Sequence, residues 1–229
     1  MSKTIACLAG LFALLVPRVG ATSLTLFPDA FSLTSGLETA AVDPSALGLF
    51  QQGEYRQAEE RIRQAVKQSP DHVPARHLLV AILVARSQWE QAIQESEALL
   101  RLEPNYTPAH RILGRLNYQI QQYDRAYQHY SAAQYQDKED KDSQFMMYLC
   151  LVLNGKKEEA DFMRNATPVS RTDANFYLMN AAHAFKTGEE DRALYMIGAA
   201  RHLYPPEILA GPLQRFQELG WMPALPSGP

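Results

Sequence analysis

Gly53-Glu54-Tyr55-Arg56-Gln57-Ala58 returns four times in varied form. The copies are Ser87-Gln88-Trp89-Glu90-Gln91-Ala92, Gln121-Gln122-Tyr123-Asp124-Arg125-Ala126, Gly155-Lys156-Lys157-Glu158-Glu159-Ala160 and Gly188-Glu189-Glu190-Asp191-Arg192-Ala193. Each sets a turn-forming residue five positions ahead of an alanine, and successive alanines stand 34, 34, 34 and 33 residues apart. Self-similarity at that period marks a stacked-repeat architecture.

The flanking residues keep the same beat. Pro70, Pro104 and Pro205 each follow their alanine by 12 residues. Between the punctuation run apolar residues at helical spacing: His77 to Val84 opens one helix, and Trp89, Ala92, Ile93, Leu99 and Leu100 mark the next. Pro74 and Pro108 fall just inside helix starts, where a missing N–H costs nothing, and Thr107 is read as the N-cap ahead of Pro108. Each unit is therefore two antiparallel helices joined by a short turn. The turn residue ends the first helix. The Tyr or Trp fills the junction, and the alanine lets the second helix approach the first closely. A single hairpin cannot bury its apolar faces, whereas a stack can.

These residues resemble the tetratricopeptide repeat (TPR). The third unit carries the resemblance best, with Leu113-Gly114, Tyr123, Ala126, Tyr130 and Ala133 on the expected types. The fourth keeps Gly155 and Ala160 but lacks the aromatic and the closing proline. The resemblance covers about residues 39 to 206. It implies an all-α fold, a right-handed superhelix (α-α solenoid) of about five hairpins with a C-terminal capping helix.

The ends read differently. Lys3, the apolar run Ile5 to Val16, Pro17 and the small-residue site Val19-Gly20-Ala21 make residues 1–21 a secretory signal peptide, with cleavage after Ala21. The run is too short to cross a bilayer, which needs roughly 20 apolar residues. Residues 22–42 form an apolar arm containing Leu24, Phe27, Phe31 and Leu33, read as a cap on the first hairpin or as an occupant of a groove. Residues 43–206 are the array. Residues 207–222 hold the capping helix, with Pro212 as its first residue, Leu213, Phe216 and Leu219 on one face, and Gly220 as its stop. Residues 223–229 are a flexible tail.

Composition narrows the function. A net charge of −3 over 229 residues leaves no basic excess for a phosphate backbone, so nucleic acid is not the expected partner. None of the six histidines stands three or four residues from another on one helix, and no HExxH, CxxC or glycine-rich phosphate loop occurs. No metal, cofactor or catalytic constellation is expected. Cys150, between Leu149 and Leu151, reads as a buried small hydrophobe. The charged run 137–142 reads as a solvated linker or helix start.

The resemblance also implies a binding surface. In TPR arrays the inner groove is lined by first-helix positions 2, 5, 9, 12 and 13. Carried over, these give His77, then Arg111, Arg115, Tyr118 and Gln119, then Phe145, Leu149 and Val152, then Asn175, Leu178 and Phe185. A basic-aromatic middle followed by an apolar half suits a protein segment with an acidic group followed by apolar side chains. The carboxylate clamp of chaperone-binding TPR domains is not matched, because its positions hold Asp43, Leu47, Leu78, Pro108 and Ile112. The resulting expectation is an exported, non-catalytic, periplasmic or extracellular scaffold or adaptor, with no membrane span in the mature chain. The alternatives are a self-associating structural protein and a chaperone for secreted or envelope subunits.

Overall fold

The computed structural model describes residues 42–223. The proposed signal peptide, the arm up to residue 41 and the tail from residue 224 lie outside the described residues. Eleven α-helices and no strand are found among the described residues. Five hairpins follow in order: α1 (Pro44–Gln51) with α2 (Tyr55–Gln68), α3 (Val73–Ala85) with α4 (Trp89–Leu102), α5 (Thr107–Gln119) with α6 (Tyr123–Gln136), α7 (Lys141–Leu153) with α8 (Lys157–Ala166), and α9 (Asn175–Thr187) with α10 (Glu190–Leu203). A final helix, α11 (Pro206–Glu218), closes the chain. Each helix packs chiefly on its neighbours in sequence, so the array is an α solenoid.

The five turns inside the hairpins are chemically alike. Gly53, Ser87, Gln121, Gly155 and Gly188 all have positive φ, between 57° and 81°. In each turn the next residue's N–H reaches back to a carbonyl in the last turn of the first helix, as Gln88 N does to Leu83 O and Gln122 N to Asn117 O, at 2.9 and 2.8 Å. This Schellman-type closure reverses the chain within a few residues. Glycine takes the left-handed conformation freely, but Ser87 and Gln121 adopt it against their own Cβ.

The alanine of each repeat sits where the second helix meets the first. Ala58, Ala92, Ala126 and Ala193 are fully buried, and Ala160 nearly so. The junction aromatics pack beside them, Phe50 against Tyr55 and Tyr118 against Tyr123, each pair with ring centroids 5.6 Å apart. Gly114 lies on α5 directly against the Tyr130 ring of α6. α3 and α7 are buried around their whole circumference from Leu78 to Val84 and from Phe145 to Val152, so their runs are apolar all round and not amphipathic. Cys150 lies within the α7 run at 1% exposure, and burial pushes its thiol pKa up to about 12.

Three details differ from the sequence expectation. Thr107 is the first residue of α5, and Tyr106 holds the cap position, where no side chain caps the helix. The Tyr106 hydroxyl is instead engaged with His77 Nδ1 at 2.6 Å. Pro212 lies inside α11, which begins at Pro206 and ends at Glu218. Pro205 has extended backbone (ψ 150°), and Pro206 supplies the pre-set φ of a first helical residue, so the helix starts there. Leu219 is the C-cap, and Leu209, Leu213 and Phe216 form the buried edge.

The fourth hairpin is the irregular one. α8 has 10 residues where α2, α4, α6 and α10 have 14. Pro168 pushes Thr167 into extended backbone (ψ 114°) and ends the helix a turn early. The loop that follows is held from the next hairpin, where the Tyr204 hydroxyl donates to the Ser170 carbonyl.

Candidate functional site

A cavity of about 790 Å³ opens on the face formed by the first helices of the third and fourth hairpins. α5 contributes Pro108, Arg111, Ile112 and Arg115 to its wall. α7 contributes Lys141, Asp142, Ser143, Phe145 and Met146, and the loop ahead of it Asp137, Glu139 and Asp140. Tyr130 lies at the base. The opposite wall comes from α11, through Glu207, Ile208, Gly211, Pro212 and Arg215. The volume is that of a ligand-sized pocket, and its lining mixes charged with apolar groups.

The charged groups are organised by helix starts. Asp140 caps α7, accepting from the Ser143 N–H at 2.9 Å and the Ser143 hydroxyl at 2.7 Å. Its side chain is 5% exposed, and it is neutralised from α5 by Arg111 Nε at 2.7 Å. Arg111 also reaches Asp137 at 3.0 Å. The charged run 137–142 is therefore a helix start pinned to the preceding hairpin, and Arg111 is the pin. Arg115, one turn further along α5, is half-buried. Desolvation and the nearby Arg215 guanidinium both lower its pKa. Arg215 is itself paired with Glu218 at 2.5 Å.

Tyr130 of α6 borders the cavity with its hydroxyl buried and without a hydrogen-bond partner; the Tyr118 hydroxyl of α5 is in the same state but outside the lining. Burial pushes the pKa of both upward, so both stay neutral donors. A polar ligand group reaching Tyr130 from the cavity would satisfy a donor that the fold leaves unmet.

The other candidate residues separate into two groups. Gln119 and Phe185 are half-buried. His77, Phe145, Leu149, Val152, Asn175 and Leu178 are buried in this structure. Asn175 ties the fifth hairpin to the fourth, donating to the Lys141 carbonyl at 2.9 Å and to Gln144 Oε1 at 3.1 Å. Phe145 and Phe185 are covered by α11 and the residues just after it. The Phe216 ring meets Phe145 edge-on at 5.9 Å and Phe185 at 5.6 Å, and Trp221 stacks on Phe185 at 5.9 Å. The helix expected to cover the last hairpin thus reaches across the first-helix face as far as the cavity beside α5.

Sequence reasoning overlooked the α11 wall and Tyr130. The Leu209, Leu213, Phe216 spacing was the available signal for the first. Among the described residues no group of acidic, His or Cys side chains has the geometry to hold a metal ion, and no helix is long and apolar enough to cross a membrane.

Residues 49–116 match the family model of the tetratricopeptide repeat, from the end of α1 through α2 and the second hairpin to most of α5. Over this stretch the chain is similar to TPR proteins. Solved structures extend the likeness over the array. YrrB, a TPR protein with an unusual peptide-binding site, superimposes with a TM-score of 0.57 at 19% identity, covering 81% of this chain and 99% of YrrB. TTC0263, a thermophilic TPR protein of Thermus thermophilus, superimposes with a TM-score of 0.53 at 16% identity, covering 78% of this chain and 95% of its own. At these identities the likeness is one of fold. No curated protein matches the chain. A TPR fold is in general a protein-interaction scaffold, and that broad reading applies here.

Proposed function

We propose that this TPR-like protein is an exported, non-catalytic adaptor that binds a segment of another protein on the face formed by its first helices. The observation that carries the reading is the cavity between α5, α7 and α11, where Arg115 and the unmet Tyr130 hydroxyl stand beside Ile112, Phe145 and Met146. That combination suits a segment bearing a carboxylate next to apolar side chains. Arg115 and Tyr130, which line the cavity, are the contact residues; of the other sequence candidates, Tyr118, Gln119 and Phe185 lie outside its lining. Arg111, held by Asp137 and Asp140, shapes the wall. The peptide-binding site named for YrrB lends support by analogy of fold. Export rests on residues 1–21 and on the pattern of a positive start, apolar run and small-residue site.

Affinity capture from a cell-envelope fraction tests both halves. The wild-type chain is expected to retain a partner that Arg115→Glu loses while its thermal unfolding is unchanged; equal retention by both proteins refutes the groove. N-terminal sequencing of the protein from fractionated cells is expected to begin at Thr22, and a start at Met1 refutes cleavage.

Self-association is the second reading. It is favoured by Phe162 on α8 and Tyr195 on α10, which are 77% and 72% exposed. A concentration-dependent mass in light scattering that Phe162→Ser abolishes would select it.

A further inference from the structure

α11 breaks the rhythm of the array. Every earlier first helix leads through a left-handed turn into a partner helix, whereas α11, which ends at Glu218 and also enters a left-handed turn at Gly220, is followed by no partner helix among the described residues. Its buried edge of Leu209, Leu213 and Phe216 is spaced four and three residues apart, the pattern by which an amphipathic helix lies in a groove. It rests on Phe145 of α7, which lines the cavity in the reading above, and on Phe185 of α9. The polar bonds of Arg215 and Gln217 stay within α11 and the residue range just after it, to Glu218 and to the Pro223 carbonyl.

The seat is only half filled. Toward the N-terminal end of α11 the cavity separates Ile208, Gly211 and Pro212 from Ile112 and Met146, and Ile208 remains 41% exposed. A Cβ at Gly211 would meet nothing within 4 Å. A helix with a large apolar side chain in the Gly211 register would bury more surface in this groove than α11 does.

We propose that α11 is a removable occupant of the binding groove, and that the partner segment it yields to is an amphipathic helix with the same Leu-x3-Leu-x2-Phe edge and a bulky apolar residue where α11 has Gly211. This inference rests on the groove reading proposed above, and it deepens that reading by naming the form of the segment and the gate it must displace. The gap beneath Gly211 gives such a competitor its advantage, and the Pro205-Pro206 joint lets α11 leave without unwinding α10.

The first test needs neither a partner nor a variant. Hydrogen exchange of the full wild-type chain is expected to show amides of 206–218 opening at least about tenfold faster than those of α7 and α9. Exchange of α11 in step with α7 and α9 overturns the proposal while leaving the groove reading standing. The second test uses a fluorescent synthetic peptide of residues 205–222. It is expected to bind the Leu213→Asp, Phe216→Asp chain at least about tenfold more tightly than wild type, whose groove is occupied. A peptide with Gly211→Leu should bind more tightly than one with Gly211→Ala, since Leu and Ala have similar helix propensity and differ in the space they fill. Equal binding of the parent peptide to both chains, or equal binding of the two peptide variants, refutes the mechanism.

Discussion

Replacing Gly114 with alanine should destabilise the array, although alanine is the better helix former. Gly114 sits in the middle of α5, where exchanging Gly for Ala favours the helix by about 1 kcal/mol. The added Cβ would stand 2.8 Å from Cε1 and 2.9 Å from Cδ1 and Cζ of Tyr130. Carbon atoms in contact prefer about 3.5–4.0 Å, so the ring must retreat by roughly 0.7 Å or more. Tyr130 is 2% exposed and the buried Ala126 and Ala133 share its helix, so any retreat has to be taken toward the cavity and at the expense of its present packing. Overpacking of this kind costs about 1–3 kcal/mol, which exceeds the propensity gain and leaves a net loss of about 1 kcal/mol. Denaturant unfolding measures it as a lower midpoint with an unchanged slope. Gly198 of α10 is the control, since a Cβ there meets nothing within 4 Å, and Gly198→Ala should stabilise by about 1 kcal/mol. In a Tyr130→Leu background the Gly114→Ala effect should turn stabilising. If Gly114→Ala raises the midpoint as much as Gly198→Ala does, the close approach of α5 and α6 is not what requires glycine, and the reasoning fails.

The two hairpin turns without glycine offer a gain. Ser87→Gly and Gln121→Gly remove a Cβ from φ of 57° and 60°, and each should stabilise the fold by about 0.5–1 kcal/mol after the added freedom of the unfolded chain is counted, read as a higher unfolding midpoint. The His110–His129 contact, Nδ1 to Nδ1 at 3.3 Å, predicts a pH dependence. Desolvation, His110 and Arg125 lower the His129 pKa to about 4, so the unfolded chain binds more protons between that value and the ordinary 6.5. Stability should be fully present above about pH 6.5 and fall as the pH drops toward 4; unfolding midpoints measured across that range should flatten in His129→Gln, and an unaltered profile would refute the assignment. Cys150, with its thiol pKa raised to about 12, should react with a disulfide reagent only after denaturation, as read by the mass of its peptide.

Much of the fold was legible because its causes are local. The period of the alanines, the turn residue five positions ahead of each and the closing prolines act within a few residues of where they stand, and the hairpins follow from them. Ser87 and Gln121 were legible as turn positions only through that period, since neither residue seeks the left-handed conformation. The shortened α8 follows from Pro168, which stands eight residues after Ala160 where the other closing prolines stand twelve after their alanines. The candidate site was less legible. First-helix positions could be named from the repeat register, but whether a side chain there meets solvent depends on what lies over it. Arg111 is drawn to Asp137 and Asp140, 26 and 29 residues away, and no local pattern announces that pairing.

The sequence alone determined the number of hairpins, their pairing and which helix of each pair comes first, because a 34-residue beat of turn, aromatic and alanine leaves each hairpin one way to close. Only the tertiary structure decided where α11 lies. Its edge of Leu209, Leu213 and Phe216 states that it must bury an apolar stripe but not against which surface, and the choice went to Phe145 and Phe185 because the stack had left those faces uncovered.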